Sequence, residues 1–244
     1  MVRTKNSQYK KNPFLSAVDE TSFYPYPAMN QCFDVLNKAF SGLSRIILVL
    51  GDFGSGKSLM MKQFLAEEPN LWKPCKVNPR EMDSTESFGP GRPLREHKAY
   101  LYRTEEKTAL LMDDAHNLDI DELLFLLRLA GLGGGESQTD KLVFFTETSL
   151  LQLLDELAEI LTEEGTVDQI FMPRLSRLEV ETYILKRLDS VDFKGGKLFN
   201  SSELDWIYDE SGGYPGGINE TAARIFSQKM KDGGKFSKFF KNFF

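Results

Sequence analysis

The residues best suited to chemistry lie in one unbroken run. Gly51-Asp52-Phe53-Gly54-Ser55-Gly56-Lys57-Ser58 fits the pattern G-x-x-x-x-G-K-[ST] without a gap. Such glycines let backbone N–H groups turn inward on phosphate oxygens, and a helix opening behind them adds the positive end of its dipole. Lys57 is placed to reach β- and γ-phosphates, and the Ser58 hydroxyl to ligate Mg²⁺. The phosphate- and nucleotide-contacting set is therefore Gly51, Phe53, Gly54, Ser55, Gly56, Lys57, Ser58 and Leu59. A second run, TALLMDDAH at 108–116, ends an apolar strand in two acids. Asp113 is the candidate Mg²⁺ ligand, and Asp114 is the candidate to orient and deprotonate an attacking water. Asp114-Ala115-His116-Asn117 also fits a helix N-cap, so the two acids can divide those tasks. Thr146 closes the apolar run LVFF, where a neighbouring parallel strand would bring its hydroxyl near a γ-phosphate, although a threonine at a strand end also suits a plain turn. His97, in the stretch PLREHKAYLY, reads as a solvated loop residue.

Elements that could hold these residues alternate along the chain. An amphipathic helix is expected over about 30–40, where Phe33, Leu36 and Phe40 recur at three and four. Buried strands are expected at Ile46–Leu50, Leu110–Met112 and Leu142–Phe145, with weaker ones at Lys76–Val77 and Val167–Met172. Helices follow from about Lys57, Asp119 to Ala130 and Ser149 to Leu161. This β/α alternation predicts a parallel sheet sandwiched by helices. Beyond Pro173 the pattern turns purely helical, at about 177–189, 201–211 and 216–231. The expected division is a lead-in at 1–28, an α/β nucleotide-binding domain at 29–173, a helical lid at 174–231 and a basic-aromatic tail at 232–244.

The net charge of −6 is unevenly spread. With +4 on residues 1–12 and +4 on residues 229–244, the body from 13 to 228 carries −14. Such a body repels phosphate backbones, which argues against nucleic acid as a partner. The tail interleaves lysines with Phe236, Phe239, Phe240, Phe243 and Phe244, which reads as a frayed end, or as a composition that suits an anionic membrane surface or the approach to a membrane span. Within the chain no run of 18 apolar residues exists, and MVRTKNSQYKKNP has no apolar stretch that would make it a secretory signal. Cys32 and Cys75 give no disulfide framework and fit a reducing compartment. With His97 and His116 they also lack the spacing of a structural zinc site.

In this order the elements resemble an AAA+ ATPase, a P-loop NTPase with a small helical lid. The subgroup they resemble is typified by the general-secretion ATPase ExeA, with the Mu and Tn transposition ATPases as cousins. Three further segments carry the resemblance: NPFLSAVDETSFYPYPAMNQCFDVLNKAF ahead of the phosphate loop, RLSRLEVETYILKRL at 174–188, and SGGYPGGIN at 211–219. It implies ATP or ADP with Mg²⁺ as ligands, Lys57 and Ser58 as the Walker A pair, Asp113 as the Walker B acid, and Thr146 as the sensor-1 residue. Two departures stand out. The usual Asp-Glu is Asp113-Asp114, and displacing a catalytic base by about 1 Å costs on the order of 100-fold in rate. Gly216 stands where the sensor-2 arginine usually falls, and no arginine lies between Arg128 and Arg174. An arginine finger is worth roughly 10³ to 10⁵ in rate, so tight binding with slow turnover is expected, unless Arg174 or Arg177 substitutes.

Three functions follow as expectations. The first is an ATP-binding module with weak or partner-dependent hydrolysis in a bacterial cell-envelope or secretion assembly, cytoplasmic and at the inner face of the membrane. The second is a DNA-associated regulator of the transposition type. The third is an interaction module in which nucleotide is purely structural. No N-K-x-D guanine reader is present, and adenine specificity comes from the resemblance alone.

Overall fold

The structure is a computed structural model. It describes residues 12–15, 25–66, 73–77, 99–103, 107–133, 139–159, 161, 167–191, 193 and 197–231, with backbone alone for 73–77, 102, 103 and 231. His97 and the tail from 232 onward lie outside the described residues. The chain divides into two units, Pro27–Pro173, and Met1–Tyr26 together with Arg174–Phe244.

The first unit is α/β. Its six strands are β1 (Ile46–Leu50), β2 (Lys73–Val77), β3 (Ala99–Arg103), β4 (Thr108–Asp113), β5 (Lys141–Thr146) and β6 (Val167–Phe171). They form one sheet in the order β2-β3-β4-β5-β1-β6. Pairings β4–β5, β5–β1 and β1–β6 are parallel, whereas β3 runs antiparallel to both its neighbours. Five strands therefore share one direction, and the sheet is mostly rather than wholly parallel. The reversed strand corrects the reading of PLREHKAYLY as loop, since its last four residues, AYLY, belong to β3. Its Ala99 and Leu101 are buried while Tyr100 between them is half-buried, the alternation of a strand near a sheet edge.

Successive side chains of a strand face opposite sides of a sheet. Ile46, Leu48, Leu50, Leu110, Met112, Leu142 and Phe144 share one core with helices α3 (Ile120–Leu129) and α4 (Leu150–Glu156). On the other side α1 (Pro27–Ser41) packs against β1 and β6, and α2 (Lys57–Ala66) against β4 and β5. Phe64 of α2 meets Phe33 and Phe40 of α1 edge-on, with ring centroids 6.1 and 5.0 Å apart. Helix α4 stops at Glu156, short of the expected Leu161, and turns follow at 157–159. Lys141 fixes the rear of the sheet by donating from Nζ to the carbonyls of Gly42 (2.7 Å) and Ser44 (2.8 Å).

The second unit is helical, built from α5 (Arg177–Asp189), α6 (Ser201–Ser211) and α7 (Pro215–Lys231). Helices α5 and α6 each begin with a capping box, Ser176 with Glu179 and Asn200 with Glu203. The lead-in packs on this unit. Asn12 Nδ2 donates to Ala223 O and Ser227 Oγ, both at 3.1 Å, and Phe14 meets Phe199 and Phe226 edge-on.

Candidate functional site

The glycine-rich loop leaves the sheet at the end of β1 and enters α2 at Lys57. Gly51 N–H donates to Thr146 O (3.1 Å), which ties the loop to the end of β5, and Ser55 N–H donates to Asp52 O (3.1 Å) to close its turn. Gly54 and Gly56 have φ of 77° and 98°, values that favour residues without a Cβ. Phe53 stands at the loop tip, 90% exposed, whereas Ser55 is fully buried, and its Oγ has no hydrogen-bond partner among the described residues. Ser58 and Leu59 are half-buried in the first turn of α2. A helix start leaves its first N–H groups without intrahelical partners, so those of Lys57 and Ser58 are available to an anion.

Lys57 is only 7% exposed and is the cation of the site. Its Nζ donates to Gly51 O (2.7 Å) and Asp52 O (3.1 Å), folding the side chain back on the loop. Burial pushes its pKa below the ordinary lysine value, while the carboxylates of Glu147, Asp114, Asp113 and Asp52 pull it the other way, Glu147 most strongly.

Strand register sets the acids beside this lysine. Leu50 of β1 pairs with Thr146 of β5, and Asp113 of β4 pairs with Phe145. At a strand spacing of about 4.8 Å, the ends of β1, β5 and β4 line one edge of the sheet within roughly 10 Å. Asp113 is fully buried, and its Oδ1 accepts from Asp114 N–H (3.1 Å). Thr146 is fully buried too, with Oγ1 donating to Glu147 O (3.2 Å). Asp114 is exposed and sits in the left-handed region at φ 56°, ψ 35°, the sole non-glycine with positive φ among the described residues. Asp114 precedes the short 3₁₀ turn Ala115–Asn117 without a side-chain capping bond, and Asp119 caps α3 instead. Its carboxylate is thus not spent on capping.

The fold therefore brings the predicted Lys57, Asp113, Asp114 and Thr146 to one edge, with Ser58 next to Lys57 in the chain. Two acids acting on Lys57 escaped the sequence reading, Asp52 inside the loop and Glu147 after Thr146. Glu147 Oε1 also lies 4.0 Å from His116 Nε2. Its position directly after a predicted site residue at a strand end was the available signal.

The donor set fits a hard cation. Among the described residues no group of three or more His, Cys, Asp or Glu could hold a metal by itself. Mg²⁺ needs no such cage, since one or two carboxylates suffice when phosphates and waters complete its shell. The Asp113 carboxylate and the Ser58 hydroxyl are oxygen donors of that kind.

Arg174 and Arg177 are engaged within the helical unit. Arg174 Nε donates to Tyr214 Oη (3.0 Å), and its guanidinium lies 4.7 Å from that ring's centroid. Arg177 Nε donates to Asp205 Oδ1 (2.5 Å), and its Nη1 is 3.6 Å from Glu181. No protein-family model matches the chain, and no curated protein sequence matches it.

Proposed function

We propose that the chain is an ATP-binding P-loop NTPase with an AAA+-like lid. It hydrolyses ATP slowly or only with a partner, and acts as a nucleotide-gated module of a bacterial cell-envelope or secretion assembly. The observation that carries this reading is Lys57, buried beneath a glycine-rich loop with Asp113 and Thr146 at the ends of neighbouring strands. A phosphate chain entering the loop would take the Lys57 ammonium from the carbonyls of Gly51 and Asp52, exchanging neutral acceptors for charged ones. The amides of Phe53, Gly54, Gly56, Lys57 and Ser58 would hold the phosphates, while those of Ser55 and Leu59 close turns on Asp52 and Gly56. Asp113 and Ser58 would hold Mg²⁺, which when bound neutralises charge on the phosphates. Asp114 would take the proton of the attacking water, and Thr146 would position the γ-phosphate.

The departures in the sequence support slow turnover. Arg174 and Arg177 already have partners of their own, and Gly216 supplies no cation. The acidic body weighs against the DNA-associated reading. Among the described residues no helix is long and apolar enough to cross a membrane. We place the protein in the cytoplasm at the inner face of the membrane, with a protein partner of the assembly as its target.

The test is single-turnover and steady-state ATP hydrolysis by the full chain and by Lys57→Ala, with Mg²⁺ varied. Binding with negligible steady-state turnover, both abolished in Lys57→Ala, is the expected result. Turnover near one per second would sink the slow-hydrolysis reading, since kinases with a complete machinery run at about 1–100 per second. ADP that copurifies and never exchanges would instead make the nucleotide purely structural.

A further inference from the structure

A groove of about 310 Å³ lies within the helical unit, between α5, α6 and the chain that joins them. Ile184, Leu188, Phe193, Phe199 and Leu204 make its walls apolar, and Asp189 lines it together with Glu181 and Lys197, which pair at 3.8 Å. Leu185 opens onto it at 53% exposure, and Leu178, two turns earlier on α5, is 74% exposed. The two continue an apolar stripe at the i, i+7 spacing of one helix face.

The last turns of α7 run beside this groove. Phe226 meets Phe193 edge-on at 6.4 Å. Lys229 Nζ donates to the carbonyl of Leu198, another wall residue, and to Glu203 Oε2 (2.6 Å), and it lies 5.5 Å from the Phe199 ring centroid. Two residues later α7 ends at Lys231, and the sequence continues DGGKFSKFFKNFF. The phenylalanines of that segment, 236, 239, 240, 243 and 244, recur at i, i+3, i+4, i+7 and i+8. This is the spacing of anchors that an amphipathic segment lays into an apolar groove. Lysines 235, 238 and 241 accompany them.

We propose that segment 232–244 docks into this groove of its own chain, with phenyl rings among the leucine, isoleucine and phenylalanine side chains and a lysine toward Asp189. Attachment favours this occupant. Phe236 is five residues beyond Lys231, where the helix ends, so an extended connection spans up to ~17 Å, at about 3.3 Å per residue. A short flexible tether gives an effective concentration on the order of 1 mM, so a site with an intrinsic Kd of about 0.1 mM would be filled roughly ten to one. The same rings and lysines suit an anionic lipid surface, but the groove is tethered to the segment and meets α7 at Lys229, two residues before the helix ends. The groove shares no residue with the glycine-rich loop site.

Hydrogen exchange on the full chain tests it, comparing the wild type with a variant carrying serine at all five phenylalanines. Amides over 184–188 and 198–204 are expected to exchange on the order of tenfold faster in the variant. Leu185→Glu, at an exposed position that leaves the core intact, is expected to release the segment from the other side and speed exchange over 235–244. Equal protection in wild type and variant would overturn the proposal. Protection that fades on dilution would also overturn it, by assigning the groove to a second copy's segment. So would loss of cosedimentation with phosphatidylserine–phosphatidylcholine vesicles in the serine variant without any change in groove protection.

Discussion

Gly51→Ala asks the most of the site's geometry. A Cβ at this position would fall 2.5 Å from Ser55 Oγ and 2.8 Å from both Cβ and Cγ of Met172. Met172 has little room to retreat, because its N–H donates to Leu50 O (2.7 Å) and its Cβ follows the backbone. The loop must therefore move, and with it the bond from Gly51 N–H to Thr146 O. Overpacking of this kind costs about 1–3 kcal/mol. For a chain of this size each kcal/mol lowers Tm by about 2–4 °C, so a mid-range cost of about 2 kcal/mol predicts a fall of roughly 4–8 °C. Displaced loop amides should also weaken Mg²⁺–ADP binding on the order of tenfold, about 1.4 kcal/mol. Gly212→Ala is the control. Gly212 has φ 56°, and a Cβ added there would meet nothing within 4 Å, so strain of about 1 kcal/mol is its only cost, with ADP affinity unchanged. Thermal melts with and without Mg²⁺–ADP, alongside calorimetric titration, read both quantities. Wild-type ADP affinity in Gly51→Ala, with Tm within about 1 °C, would refute the placement of this loop.

Three further outcomes are expected. Lys57→Met should weaken nucleotide binding on the order of 100-fold while changing nucleotide-free stability by less than about 1 kcal/mol, because relief of a buried charge offsets two carbonyls that lose their donor. The lowered pKa of Lys57 means that, above it, the unfolded chain holds more protons than the folded one. Wild-type stability should therefore rise relative to Lys57→Met as pH climbs toward the ordinary value of 10.5, as chemical denaturation across that range would read. Asp114→Gly should raise stability by about 1 kcal/mol by relieving the left-handed backbone, whereas Asp114→Asn should keep stability and lower hydrolysis by about 100-fold or more in single-turnover assays. Burial raises the Cys32 thiol from 9.0 to about 11, so its contribution to stability is complete below pH 9 and lost as pH rises through 11. In a Cys75→Ser background Cys32 should then react with a thiol reagent at pH 8 about 100-fold more slowly than a free thiol, as absorbance would follow.

Most of the fold was legible because its signals are periodic or contiguous. The buried runs IILVL and LVFF lie in the two strands that flank each other at the site, and helices α5 and α6 occupy the spans their patterns predicted. Strand β3 was not legible, for a physical reason. It has five residues with two inward apolar positions, and it follows a charged, proline-containing stretch that reads as loop. Its reversal beside β4 is a matter of pairing, which no local pattern records. The early end of α4 has a similar origin, since Leu157 and Leu161 keep the helical spacing although the chain turns at 157–159.

The site was legible where one residue type has one use, and illegible where the same type has several. Lys57 and Ser58 follow from a motif whose spacing has a single mechanical meaning. The carboxylates do not, because an acid after a strand can cap, hold a metal or merely face water. Backbone geometry separates those uses: Asp119 takes the cap of α3, and Asp113 is buried at the end of β4. Asp114 is left exposed in a conformation that disfavours its side chain. Holding a non-glycine residue there costs on the order of 1–2 kcal/mol and persists only where the surroundings impose it. With side-chain capping removed as an explanation, the strained backbone and the exposure of Asp114 keep it a candidate for the proposed role beside Lys57. Glu147 exerts the stronger field on that lysine from the end of the adjacent strand. Removing each carboxylate separately, as amide variants that preserve shape, would therefore assign the proton acceptor. If Glu147→Gln abolished single-turnover hydrolysis while Asp114→Asn left it intact, the strained acid would be a structural consequence of the β4 turn and the role given to Asp114 would pass to Glu147.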